Sequence, residues 1–200
     1  MIDKEVYSCL EKKYSDIASW TIWSDPEKGN WSSKSKIDDM SIFKDDDITE
    51  KLKSDYIFVG YNPAKHNTNN NKEESWCSFH SGDSKRGQDY KLRYALHETP
   101  YEGSFIIDLY PEIIETDSAR VESEVDLQMT SKSIKRLLEI RELLGGKATI
   151  IAIGNKAHNI LKKELSKEQL SNNIILKKIT HYAVFINPDN YKDKVQSQLK

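Results

Sequence analysis

A side-chain amide placed just after a buried strand can hold a water molecule through its oxygen while its nitrogen bonds the nearby backbone. Asn62 has that setting, three residues after the apolar run Tyr56-Ile57-Phe58-Val59 and inside Gly60-Tyr61-Asn62-Pro63-Ala64. An amide is no strong base, so this position would orient a nucleophile rather than deprotonate it. Glycine, asparagine and proline in a row are equally ordinary turn chemistry. His181 lies 119 positions later, after the apolar stretch that begins at Ile174. An imidazole there could donate to an oxygen that gains negative charge in a transition state, or it could simply be a half-buried histidine satisfied by a carbonyl.

The segment 75–83 joins Trp76, Phe79 and His80 to hydroxyls and a glycine, ahead of Lys85, Arg86, Lys91 and Arg93. Aromatic faces beside Lys and Arg suit stacking on a base and holding its phosphates, and the same composition suits a covered loop that leads into a solvated helix. Both readings stand on the residues alone. The P-loop, dinucleotide-binding, His-Glu-x-x-His and Gly-x-Ser-x-Gly patterns are all absent from the sequence, which argues against the enzyme classes they mark. Asp108 follows an apolar run and could bind a metal, but no second carboxylate stands near it in sequence. No metal and no cofactor are implied.

Elements must carry these residues to one place. The continuous apolar runs 56–59, 105–107 and 150–153 read as strands covered on both faces, and 174–176, with charges after it, as a strand nearer an edge. Apolar residues recurring every three or four positions predict an N-terminal helix over 3–20, with further helices over 90–97, 133–144 and 157–165. Strand and helix alternate, so the expected fold is α/β: a three-layer α/β/α sandwich on a central, mainly parallel sheet of about four strands. In such sheets ligands bind beyond the carboxyl ends of the strands. There stand Gly60 to Ala64, Asp108 to Pro111, Gly154-Asn155-Lys156 and Thr180-His181-Tyr182. Residues 24–47 read as a loop, pinned to the core by Trp23, Trp31 and Phe43 and anchored at Ile42 and Phe43.

Composition sets the frame. The chain has 200 residues, 37% of them hydrophobic, which is enough for one domain with its own core. The reading is a single domain over 1–200, with an N-terminal helix and loop over 1–54 and an α/β core over about 55–190. Thirty basic residues against 32 acidic ones leave a net charge of −2, so contact with nucleic acid must rest on a local patch. Cys9 and Cys77 make neither a disulfide framework nor a zinc pattern. The N-terminus lacks the apolar stretch of an export signal and no apolar run is long enough to span a membrane, so a cytoplasmic, monomeric protein without membrane contact is expected.

Taken in order, the strand-end motifs resemble the uracil-DNA glycosylase superfamily, in particular a divergent bacterial branch. Val59-Gly60-Tyr61-Asn62-Pro63-Ala64 is similar to the family's Gly-x-Asn-Pro loop, Phe79-His80 stands where a base-stacking aromatic is expected, and residues 151–157 are like its apolar strand, glycine and following helix. His181-Tyr182-Ala183 is like its His-Pro-Ser motif, and residues 90–96 and 103–108 also resemble the branch. The resemblance runs from about 55 to 190. It implies a DNA glycosylase-like hydrolase that flips a damaged, mismatched or modified base from DNA and cleaves its N-glycosidic bond with water. Asn62 would hold the water, His181 would stabilise the leaving base, and Phe79 would stack on it. Gly60, Tyr61, Pro63, His80, Lys85, Arg86, Asn155, Lys156 and Tyr182 would line the base and DNA site. Tyr182 and Ala183 depart from the motif and remove a serine that would contact phosphate. A binding module on the same fold, recognising a nucleotide or nucleic acid without cleaving it, is the alternative.

Overall fold

Strand residues that are apolar without interruption are buried on both sides, and here each run feeds two cores. The computed structural model describes residues 1–64, 75–80 and 87–200, apart from the side chains of 118 and 167–172. Among these, β1 (Ala18–Trp20), β2 (Lys53–Gly60), β3 (Ser104–Asp108), β4 (Thr149–Ile153) and β5 (Leu176–Ile179) form one sheet in the order β1-β3-β2-β4-β5. β2 through β5 are parallel and β1 is antiparallel to β3. Ile57, Val59, Ile107, Ile150 and Ala152 point into one core, while Phe58, Ile106, Ile151 and Ile153 point into the other.

Helices cover both faces. On the first lie α1 (Lys4–Tyr14), α5 (Leu127–Leu143) and α6 (Asn155–Asn172), which contribute Leu10, Leu137 and Leu161. On the second lie α3 (Asp89–Leu96) and α7 (Pro188–Leu199), with Leu92, Leu96, Tyr191 and Val195. The short α2 (Ile48–Lys51) and α4 (Ser118–Glu124) complete the described helices, none of which is long and apolar enough to cross a membrane. The fold is thus α/β on a mainly parallel sheet, as expected, but with five strands in place of about four.

The extra strand corrects the N-terminal helix. Asp3 caps α1 by accepting from the Glu5 N–H at 2.7 Å, but the helix stops at Tyr14 rather than running to residue 20. Ala18–Trp20 then pairs with β3, Trp20 lying opposite Phe105 with ring centroids 4.9 Å apart. A three-residue strand buried on both faces offers no alternation, and its apolar ends happen to continue the helical spacing. Similarly, the fourth predicted strand starts at Leu176, later than the apolar run at 174.

Residues 24–47 do form a loop, with two short 3₁₀ turns at Glu27–Gly29 and Met40–Lys44. It is held from α3: Arg93, 1% exposed, donates to the Ser35 carbonyl at 2.9 Å and to that of Ser33 at 3.0 Å. Trp23 is buried, Trp31 stacks on His97 at 3.4 Å and Phe43 meets His80 edge-on, so all three aromatics serve as pins.

Candidate active site

The connection after β2 enters α3 on one face and that after β4 enters α6 on the other, and a crevice opens between such diverging loops. It is a cavity of about 350 Å³ lined by Tyr61, Asn62, Gly154, Lys156, His181 and Tyr182, among others. The sequence-predicted pair, Asn62 and His181, therefore meets across one cavity despite its separation along the chain.

Asn62 is oriented by the turn after β3. Its Nδ2 donates to the carbonyls of Pro63 at 3.0 Å, Ile113 at 3.1 Å and Glu115 at 2.6 Å, so both amide hydrogens are committed to backbone. That turn is itself tied to the Asn62 loop by Leu109 N–H to Gly60, Tyr110 N–H to Tyr61 and Glu115 N–H to Pro63. Among the described residues Oδ1 takes no hydrogen bond, which leaves an acceptor of fixed direction at the cavity wall.

His181 is oriented as a donor. Its Nδ1 accepts the Ala183 N–H at 3.0 Å, which puts the proton of the neutral ring on Nε2. Burial pushes its pKa down to about 4, so the ring is uncharged at neutral pH. Gly154, with φ of 87°, lets the ring lie on the backbone: a Cβ there would sit 3.2 Å from His181 Cβ, in a conformation L side chains rarely adopt. Behind the histidine, α7 fixes the end of β5 through Gln198 and Tyr191, which bond Thr180 at 2.8 Å and 2.9 Å.

Gly60 closes β2 with ordinary strand backbone, and what it provides is space. A Cβ at Gly60 would overlap Oδ1 of Asp108 and lie 3.6 Å from Cε1 of Phe79, so those two side chains rest side by side on its bare face. Phe79 is buried and held at φ of 64°, a costly conformation for an aromatic residue. Asp108 is 8% exposed, and burial, followed by the nearby Asp89, pushes its pKa up to about 7 against the opposing pull of Arg136. Tyr182 lies close enough to both acids that they, after burial, raise its phenol well above the usual range.

The other predicted residues divide. Tyr61 lines the cavity with its ring edge-on to Tyr110 at 5.5 Å, and burial, then Glu122 and Tyr110, raises its phenol to about 12. Pro63 accepts from Asn62 and Glu115 and so belongs to the lock on the amide. Lys156 Nζ stands 2.7 Å from Glu122 and 5.7 Å from the Tyr61 ring, so much of its charge is already answered. Asn155 is exposed and accepts from Lys178 at 3.1 Å. His80 is wholly buried away from the cavity, 2.9 Å from the Ser19 hydroxyl and against Trp23 and Phe43, and burial lowers its pKa to about 3. Such a ring offers no face to a ligand. Lys85 and Arg86 lie outside the described residues.

Sequence reasoning missed Glu115 and Thr116, which line the cavity, and Phe185. Phe185 stands fully exposed in the loop that starts at His181, and Lys91 braces this loop by donating to the Val184 carbonyl at 2.9 Å. Phe185 stands in the apolar run Ala183-Val184-Phe185-Ile186, which reads as core, so no local signal marked its exposure. No protein-family model matches the chain, and no curated protein matches it.

Proposed function

We propose that the chain is a DNA glycosylase-like hydrolase of the uracil-DNA glycosylase fold, cleaving the N-glycosidic bond of a base turned out of DNA. One observation carries this reading: a fixed amide oxygen and a fixed, neutral N–H donor face one cavity of base size. A water held on Asn62 Oδ1 attacks C1′ of the sugar as the C1′–N bond breaks and its electron pair passes to the base. The His181 Nε2–H stabilises the charge that collects there. The water sheds one proton to solvent as the C1′ hydroxyl forms, and the departing base anion takes one up from solvent. Neither group has to ionise, so the site needs no carboxylate base. The exposed Phe185 fits the gap a flipped base leaves in the stack, as apolar wedges do.

Base release from single- and double-stranded oligonucleotides carrying uracil, hypoxanthine, mismatched and modified cytosine bases, read by mass spectrometry, tests this. The native protein frees a base, while Asn62→Ala and His181→Ala lose at least a hundredfold in rate, in line with removal of an oriented catalytic group. Oligonucleotide binding without release from any substrate would instead establish the binding module.

A further inference from the structure

Beside the candidate active site opens a second cavity of about 690 Å³, lined by Tyr90, Lys91, Ile186 and Pro188 among others, and it shares Gln88 and Ala183 with the first. The proposed reaction makes no use of it. Loop 24–47 meets this groove at Tyr90, where Lys34 Nζ lies 5.5 Å from the centre of the ring. Lys34 is placed by its neighbours: the buried guanidinium of Arg93 donates to the carbonyls of Ser33 and Ser35, one on either side of it, and the two serine hydroxyls meet at 2.9 Å. Lys91, 5% exposed, gives one of its three donors to the Val184 carbonyl at 2.9 Å, and burial, followed by Lys34, lowers its pKa. Two cations are thus held near each other at the groove, and their repulsion is relieved by an anion placed beside both.

We infer that this groove takes the nucleotide next to the flipped one, with its base against Tyr90, Ile186 and Pro188 and its phosphate on Lys34 and Lys91. The inference rests on the base pocket proposed above. A strand that delivers one base to the first cavity carries its neighbour past the shared wall of Gln88 and Ala183, and the groove lies on the other side of that wall. Every base has an apolar face, so an aromatic and aliphatic wall takes it without reading sequence, while cations at the edge answer the backbone; sites for single strands combine these two parts. In a chain of net charge −2, attraction for phosphate has to come from such a local pair. Lys156, with Glu122 at 2.7 Å, supplies little of it. Arg93 is then a positioning residue: it touches neither base nor phosphate and fixes the stretch that carries Lys34. Loop 24–47 thereby gains a purpose beyond covering the core.

The test is binding of single-stranded oligonucleotides, read by fluorescence anisotropy, with uracil, hypoxanthine or modified cytosine as the target base and the target sugar fluorinated at C2′ to block cleavage. The base on the 5′ or the 3′ side of the target is replaced in turn by an abasic spacer. A spacer on one side, and not on the other, is expected to weaken binding by the native protein about fivefold or more, in keeping with the loss of one stacked base. Tyr90→Ala loses a similar factor on the intact oligonucleotide and no longer distinguishes the spacer. Lys34→Gln weakens binding to all of them alike and lowers the salt dependence by about one phosphate contact. Native binding that ignores both spacers, a Tyr90→Ala protein as sensitive to the spacer as the native one, or an unchanged salt dependence in Lys34→Gln overturns the inference, while base release that depends on Asn62 leaves the hydrolase standing. A one-sided spacer effect without release from any unmodified substrate overturns the hydrolysis and keeps the groove. Failure to bind any oligonucleotide overturns both. Should Tyr90→Ala not fold, the native spacer series and Lys34→Gln decide.

Discussion

Gly60 shows at the scale of one residue how tightly this site is built. Adding one methyl group would drive Cβ into the Asp108 carboxyl, and neither neighbour can retreat because Phe79 and β3 are buried. Gly60→Ala is therefore expected to cost about 1–3 kcal/mol, the usual range for overpacking a close-fitted core, and to displace Asp108. Urea unfolding reads the first effect, and the pH dependence of stability reads the second. Asn62 and His181 were legible in the sequence because polar residues directly after buried strands stand out. Asp108 was visible too, as a strand-end residue and a poor metal ligand, but with no role of its own. Its closeness to Asp89 and Tyr182 arises from three separate elements, and no local pattern encodes it. His80 shows the converse, since a histidine beside a phenylalanine looks like a ligand contact until burial is known.

Among the elements, the loop from His181 to Asn187 carries the proposed chemistry at one end and a fully exposed aromatic ring near its middle. Because the Lys91 brace holds this loop without using Phe185, removing the ring should leave the pocket intact. Phe185→Ala is expected to slow base release from duplex DNA about tenfold or more, in keeping with unstacking costs of a few kcal/mol, and to spare single-stranded substrate, where no stack has to be opened. Equal loss on both substrates would remove the wedge from the mechanism. The central strands and α3 were readable from burial and spacing. β1 was not, because three residues cannot display a period. α7 had its signals, Asn187 as cap, Pro188 in the first turn, and Tyr191, Val195 and Leu199 four apart, yet it lay beyond the motifs that drew the reading.

For the whole molecule, opposing titrations shape stability. His80 and His181 have folded pKa values lowered to about 3 and about 4, so the unfolded chain binds protons that the folded one refuses, and stability falls as pH drops below about 6.5. Asp108 acts in the other direction. With its folded pKa raised to about 7, the folded state keeps a proton that the unfolded state gives up, so its contribution declines as pH rises from about 4 to 7 and is flat beyond. Thermal melts across pH 4 to 9 should show a maximum near pH 6 to 7. Asp108→Asn should raise Tm by several degrees at pH 8, where the carboxylate sits in surroundings that favour its neutral form, with little gain near pH 4. No gain at pH 8 would mean that burial does not raise the pKa of this carboxyl. The two margins of the sheet have a consequence of another kind. One ends in a three-residue antiparallel strand and the other carries Lys177 and Lys178, so neither offers a long, flat, uncharged template for a further strand. Concentrated solutions should therefore resist fibril growth by addition at either edge of this sheet.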